Sequence, residues 1–300
     1  GLVFPLSKVY DGTAAATPSS GAAAVQTDES VGAGTAGDCI PYTIDDVSLA
    51  GTVSYNYNSK DVLTATTINV TGLSLSGADA GNYSLTAAVA SGATITAKAL
   101  TETGLSASNK IYDATNAETL TGTATLQAPE AAGTVTTSDG IPYTGDVVSV
   151  VNTTTGTFAD VNVATGIAVT PTGLSLTGAQ ASNYSLTVQT DLSADITPKA
   201  LTALGTLSFT SKVYDGTTDA TPASGSAALQ ATEAAGAGTT SDGKPYSVDA
   251  VTLTGTATYS YNSKDVLTAT TITVNGLSLT ASGNGNYTLT DPTFSASITP

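Results

Sequence analysis

Three lysines and three asparagines are the residues whose spacing most invites chemistry. Lys8, Lys110 and Lys212 each stand in an early strand of a unit of sequence, and Asn82, Asn183 and Asn286 each stand just before a late apolar segment of the same unit. A buried lysine that loses its proton can attack an asparagine carboxamide, expel ammonia and leave an intramolecular isopeptide bond. Such a reaction needs a neighbouring acid, and Asp45, Asp146 and Asp249 are the candidates. The competing expectation is an ordinary solvated lysine whose stem covers apolar surface.

Other constellations carry weaker chemistry. Tyr10-Asp11, Tyr112-Asp113 and Tyr214-Asp215 recur as a signature. A ligand site would fit them. A turn fits better, with the tyrosine in the core, the aspartate capping and the following glycine at positive φ. The three asparagines also lie in Asn-Tyr-Ser/Thr sequons, formal glycosylation acceptors, although a tight turn bonding backbone accounts for them more simply. Asp45, Asp46 and Asp61 could supply oxygens to calcium, but neither an EF-hand loop nor a glycine-aspartate nonapeptide is present. Calcium is thus the one cofactor candidate, set against a solvated acidic surface. Cys39 is the single cysteine, and units two and three carry Gly140 and Gly243 there, so an unpaired thiol is expected rather than an interchain disulfide.

The inventory removes whole classes of function. The chain has no histidine, methionine or tryptophan, and all eight of its basic residues are lysines. Ser-His-Asp triads, imidazole bases and histidine metal sites are therefore excluded. With a formal charge of -16, a nucleic-acid partner is not expected, because phosphate binding needs cations. No apolar run approaches the roughly 20 residues of a membrane span.

The elements that must position these residues come three times over. Lys-Val-Tyr-Asp-Gly at residue 8 returns at residue 110 as Lys-Ile-Tyr-Asp-Ala and at residue 212 as Lys-Val-Tyr-Asp-Gly, steps of 102 residues. Pro41-Tyr42, Pro142-Tyr143 and Pro245-Tyr246 follow in order, then Gly-Leu-Ser-Leu from Gly72, Gly173 and Gly276, then the Asn-Tyr pairs, then Ile-Thr. Lys-Ala-Leu-Thr opens the second and third units at Lys98 and Lys199. A period this long is enough for a unit to bury a core. Residues 57–68 are identical to residues 261–272, whereas unit two reads Phe158-Ala159-Asp160-Val161, so the array alternates and its duplication unit spans two repeats. The chain reads as a piece of a longer array.

Threonine, valine and tyrosine favour strands. Val47, Leu49, Val53, Tyr55 and Tyr57 alternate, as do Tyr259 and Tyr261 in unit three. Ile68 and Val70 alternate in one phase and Leu73 and Leu75 in the other, which places a bulge or bend at Thr71-Gly72. Residues 22–37 and 227–243 read as a long hairpin arm or loop. The expected fold is all-β, three tandem two-sheet sandwiches of immunoglobulin type joined into an elongated rod.

Taken in order, Lys-Val-Tyr-Asp-Gly, Asp-Gly-x-Pro-Tyr, Gly-Leu-Ser-Leu, Asn-Tyr-Ser-Leu and Ile-Thr-Pro-Lys-Ala-Leu-Thr resemble the YDG-type repeat, similar to the MBG repeats of large bacterial surface and secreted proteins such as filamentous-haemagglutinin-like adhesins. The resemblance covers nearly the whole chain and divides it into repeats 1–98, 99–199 and 200–300. Ala114, Cys39 and Ala97 depart from the pattern. What the resemblance implies is a non-enzymatic structural module of an extracellular adhesin, stalk or surface fibre at the bacterial cell surface. Its partners would be neighbouring repeats of the array and other copies of itself in a fibre, with an unspecified ligand at the adhesin tip and no insertion into membrane. The alternatives are a glycan- or protein-binding module, with Tyr55, Tyr57, Tyr259 and Tyr261 as its aromatic platform, and a subunit of a surface-layer-like lattice or filament.

Overall fold

The computed structural model describes residues 2–5, 7–133, 136–280 and 285–300. Among them the chain is all-β, and its helical pieces are two three-residue 3-10 turns at Ala80–Asn82 and Ala181–Asn183. Each Asn-Tyr pair of the first two repeats sits where such a turn ends.

The alternating tyrosine segment forms the strand Ser48–Tyr57, antiparallel to Thr67–Ser76, which in turn pairs with Val89–Ser91. Repeat 3 builds the same meander from Leu253–Tyr261, Thr271–Leu279 and Thr293–Ser295. The expected bulge is present, but the extra residue lies on the facing strand. Gly51 pairs with Leu73 and Ser54 with Thr71, so Thr52 and Val53 together oppose Gly72. Gly51 and Gly72 stand at φ 95° and 81°. A Cβ on either would meet a facing carbonyl oxygen at 2.3 or 2.2 Å, which is why glycine occupies both.

The strand that carries each signature lysine lies parallel to the last strand of its repeat: Ser7–Val9 beside Thr94–Thr96, Lys110–Ile111 beside Ser193–Thr197, and Lys212–Val213 beside Ile298–Thr299. The Lys-Ala-Leu-Thr segments are also parallel strands. Lys98–Ser106 runs beside Tyr184–Thr187, and Lys199–Thr202 beside Tyr287–Thr290. The arms at residues 22–37 and 227–243 are irregular, fastened by single parallel bridges of Glu29 to Tyr42 and Glu233 to Tyr246.

Compactness does not follow the sequence period. The chain packs as two units, one comprising Gly1–Gly104, Thr123–Thr153 and Gly173–Gln189, the other Leu105–Gly122, Thr154–Thr172 and Thr190–Pro300. The first therefore joins repeat 1 to part of repeat 2, and the second joins the rest of repeat 2 to repeat 3. The core of the first unit shows the same thing in side chains: Tyr10, Tyr57, Ile68 and Ile95 from repeat 1 cluster with Leu100, Tyr143 and Tyr184 from repeat 2. Only the apolar material of two successive repeats closes this core.

Candidate functional site

The signature loop is built first by local chemistry. Asp11 Oδ1 accepts from the Thr13 amide and hydroxyl, both at 2.9 Å, which closes a capped turn. Lys8 Nζ then bridges Asp11 Oδ1 at 2.8 Å and the carbonyls of Thr13 and Ala15 at 2.9 Å. The same three-way clasp recurs at Lys110 with Asp113, Thr115 and Ala117, and at Lys212 with Asp215, Thr217 and Asp219. The Lys8 and Lys110 ammonium groups stand 5.3 and 5.4 Å from the ring centres of Tyr57 and Phe158. Hydrogen bonds from the Lys212 ammonium and then from the Thr217 amide and hydroxyl hold the Asp215 carboxyl down to about 2. Gly12 and Gly216 take φ of 77° and 80°, and Ala114 holds the same left-handed conformation at 62°.

The clasp redirects the isopeptide expectation. The lysine hydrogen bonds go to their own loops, and none goes to the asparagine with which each was matched. Two of the asparagines bond a different repeat. Asn183 Oδ1 accepts from the Val62 amide at 2.9 Å, and its Nδ2 donates to Asp61 Oδ1 at 2.7 Å. Asn286 does the same with the Val163 amide and Asn162 Oδ1, both at 2.9 Å. Both side chains are buried, whereas Asn82 is exposed. So Asn183 and Asn286 bond backbone, as expected, but the backbone of the preceding repeat rather than their own turn.

The three matched acids bind tyrosines. Asp146 Oδ2 accepts the hydroxyls of Tyr10 and Tyr184, each at 2.7 Å. Lys60 Nζ completes the cluster, 3.1 Å from Asp146 Oδ1 and 2.8 Å from the Tyr10 hydroxyl. In the second unit Asp249 Oδ2 accepts from Tyr112 at 2.8 Å and Tyr287 at 2.6 Å. The signature tyrosine of one repeat thus meets the acid of the next, while the Asn-Tyr tyrosine reaches that acid from within its own repeat. Tyr10 packs edge-on to Tyr184, with ring centres 5.3 Å apart, and Tyr112 to Tyr287 at 5.4 Å. Backbone bonds add to the seam: the Gly133 amide donates to Asp11 O and the Gly236 amide to Asp113 O, both at 2.8 Å.

Burial and the anionic partner favour the protonated phenol. Burial, then Asp146, pushes the Tyr10 hydroxyl up to about 12 against the opposing pull of Lys60. Burial also raises Tyr112, Tyr184 and Tyr287, with the aspartate second in each case. For Lys60, burial lowers the ammonium, but its bonds to Tyr10 and Asp146 outweigh that and hold it above its ordinary value.

The ends of the chain differ from these seams. Tyr10 is 0% exposed and Tyr112 2%, but Tyr214 is 46% exposed. The core position expected of the signature tyrosine therefore holds twice and fails at Tyr214, because what buries the ring is the following repeat and not its own. In repeat 1 the acid Asp45 accepts, among the tyrosines of the described residues, the hydroxyl of Tyr83 alone.

A second constellation escaped the sequence reading. Lys98, at the head of a strand, is wholly buried, with Nζ 2.6 Å from Glu130 Oε1, 2.9 Å from Asp139 Oδ1 and 4.0 Å from the Tyr143 ring centre. Lys199 repeats this with Glu233, Asp242 and Tyr246. Burial opposes the Asp242 charge, but the Lys244 amide and then Lys199 overcome it and bring the carboxyl down to about 2. The available signal was a lysine recurring within an apolar strand opening. Cys39 stands at φ 65° where Gly140 and Gly243 stand at 80° and 77°. A Cβ at Gly140 would meet Thr101 Oγ1 at 2.7 Å, and one at Gly243 would meet Thr202 Oγ1 at 2.9 Å, so the Lys-Ala-Leu-Thr strand is what demands glycine there. The Cys39 thiol is exposed.

The remaining candidates have structural employment. Tyr57 and Tyr261 are buried, and Tyr55 and Tyr259 are half-buried and pack edge-on to Phe4 and Phe209, so the four rings form no exposed aromatic platform. Asp61 serves Asn183, and among the described residues no group of three or more acids or cysteines is placed to hold a metal.

A protein of this kind is a tandem all-β array in which the motifs of the first two repeats are completed by the repeat that follows. The YDG domain family matches it three times, over residues 3–91, 96–191 and 197–294. The chain belongs to that family and is a structural or binding module built of three YDG repeats. No curated protein and no solved structure matches it.

Proposed function

We propose that the chain is a non-enzymatic shaft segment of a bacterial extracellular adhesin or surface fibre. One observation carries the reading: the recurring motif residues Tyr10 and Tyr112 are consumed in joining one repeat to the next, through Asp146 and Asp249. A motif used this way serves length and stiffness rather than turnover. The acidic surface keeps such an array soluble and self-repelling, and the charged hydrogen bonds at each seam resist extension.

Single-molecule pulling tests the mechanical role. Tyr10→Phe and Tyr112→Phe should each lower the unfolding force of one event, with the others unchanged. Antibody raised against the chain should label intact, unpermeabilised source cells. Labelling only after permeabilisation overturns the surface assignment, and forces indifferent to both substitutions overturn the shaft.

A further inference from the structure

The two wholly buried lysines carry the reactive grouping that the signature lysines lack. Lys98 and Lys199 are each held by one glutamate and one aspartate against the face of a buried tyrosine. Lys8, Lys110 and Lys212 are partly exposed, and their clasps combine a single aspartate with backbone carbonyls. Each buried grouping lies within one compact unit, Lys98 with Glu130 and Asp139 in the first and Lys199 with Glu233 and Asp242 in the second.

Main-chain bonds hold the three side chains together. The Thr101 amide donates to Gly140 O at 3.1 Å, which ties the Asp139 loop to the strand of Lys98. The Glu130 amide donates to Pro142 O at 2.9 Å and the Thr144 amide to Glu130 O at 2.6 Å, which ties Glu130 beside Tyr143. The second unit repeats all three, Thr202 to Gly243, Glu233 to Pro245 and Ser247 to Glu233. The carboxyls also stand within hydrogen-bonding reach of each other, Glu130 with Asp139 and Glu233 with Asp242. A Cβ on Gly238 would strike Glu233 Oε2 and Asp242 Oδ2 at once, so those two oxygens converge on one point. A backbone donor is aimed at each aspartate: the Ile141 amide at Asp139 Oδ1 and the Lys244 amide at Asp242 Oδ1, both at 3.0 Å.

We propose that Lys98 and Asp139 condense into an intramolecular isopeptide bond with Glu130 as proton carrier, and that Lys199, Asp242 and Glu233 do the same in the second unit. Burial opposes the Lys98 charge, but the bonds to Glu130 and Asp139 outweigh it, so the step starts from the ammonium. Glu130 Oε1, 2.6 Å away, takes one ammonium proton and hands it to Asp139 Oδ2. The freed amine attacks Asp139 Cγ, and the oxyanion that forms on Oδ1 is held by the Ile141 amide. Glu130 then moves a second proton from the attacking nitrogen to Oδ2, which leaves as water. The Nζ–Cγ bond forms, the Cγ–Oδ2 bond breaks, and Glu130 ends as the carboxylate it began as. The product replaces a buried ion pair by a neutral amide, which removes two charges from a medium that solvates them poorly. Fixed placement of the three groups supplies the orientation such a condensation needs.

The bond is independent of the shaft reading, and mass spectrometry of the purified chain reads it directly. Two bonds should bring the intact mass about 36 Da, two waters, below that of the sequence. Trypsin should leave the chain uncut after Lys98 and Lys199, and the digest should contain the Lys98 peptide joined to the Asp139 peptide. Glu130→Gln should return about 18 Da while the second unit keeps its bond, and Asp139→Ala should do the same. The unaltered chain supplies the first reading, so a variant that fails to fold leaves the test standing. A mass equal to that of the unmodified sequence overturns the proposal. So does a deficit with Lys98 and Lys199 still cut, which marks dehydration of Asp139-Gly140 and Asp242-Gly243 to succinimides instead. Lys98 joined to Glu130 overturns the roles given to the two carboxyls, and a bond that still forms in Glu130→Gln overturns the proton carrier.

Discussion

The three signature tyrosines offer a comparison in which the local sequence is held nearly constant and only the surroundings change. Removing the hydroxyl by Tyr10→Phe deletes a 2.7 Å bond to a carboxylate and a 2.8 Å bond to an ammonium, both at a wholly buried ring. A hydrogen bond to a charged group contributes about 1.5–3 kcal/mol. Asp146 keeps Tyr184 and Lys60, so the expected loss for Tyr10→Phe is about 2 kcal/mol, at the lower end of that range. Asp249 keeps only Tyr287 among the tyrosines, and Tyr112→Phe should cost about 2–3 kcal/mol. Tyr214→Phe removes a hydroxyl from a ring that is 46% exposed, and should fall within about 0.5 kcal/mol of no effect. Urea denaturation reads the difference: with a slope of about 2 kcal/mol per molar, the first two variants shift a midpoint by about 1 M. A double-mutant cycle of Tyr10→Phe with Asp146→Asn should show a coupling of about 1 kcal/mol or more. Equal costs at Tyr10 and Tyr214, or a coupling near zero, would falsify the claim that the signature acts through the next repeat.

Alkali should loosen the first unit. The Tyr10 phenol is raised from its ordinary value near 10 to about 12, so the folded state keeps a proton that the unfolded state gives up. The stability it contributes is intact below pH 10 and is lost as pH climbs towards 12. Circular dichroism across that window should show a steeper fall for wild type than for Tyr10→Phe. Ala114→Gly relieves a left-handed alanine at φ 62° and should raise stability by about 0.5–1 kcal/mol in the same urea assay, whereas Gly140→Ala, driven into Thr101, should lower it by at least about 1 kcal/mol. Lys98→Met strands Glu130 and Asp139 beside each other without their cation and should cost about 3 kcal/mol, with a smaller loss if Glu130→Gln is added. An unchanged midpoint for Lys98→Met would mean that the buried charge is solvated by another route.

Much of this was legible from the residues. Turn chemistry is short-ranged, so Asp11 capping Thr13 and Gly12 at positive φ could be read from neighbours in the chain. The period of two puts Tyr55 and Tyr57 on one strand face without saying which face is buried, and the structure buries Tyr57 opposite Ile68 across the hairpin. The change of phase at Thr71-Gly72 locates the bulge, but it shows only that two strands slip and not which one carries the extra residue, which the structure gives to Thr52 and Val53. Repetition marks Lys98 as a boundary and nothing more, since charge alone does not reveal that Glu130 and Asp139 fold over it.

The sequence by itself determined the three repeats, the all-β character and the form of each signature loop, because alternation, turn residues and self-similarity act over a few positions or are counted along the chain. The tertiary structure decided which repeat completes which. Tyr10 meets an acid 136 residues away and Tyr112 one 137 residues away. Asp45, Asp146 and Asp249 occupy equivalent places in three similar copies, so a tyrosine in any repeat has three chemically similar candidates. Strand alternation cannot break that degeneracy. Only packing does, by closing one core from two successive repeats and leaving Tyr214 exposed.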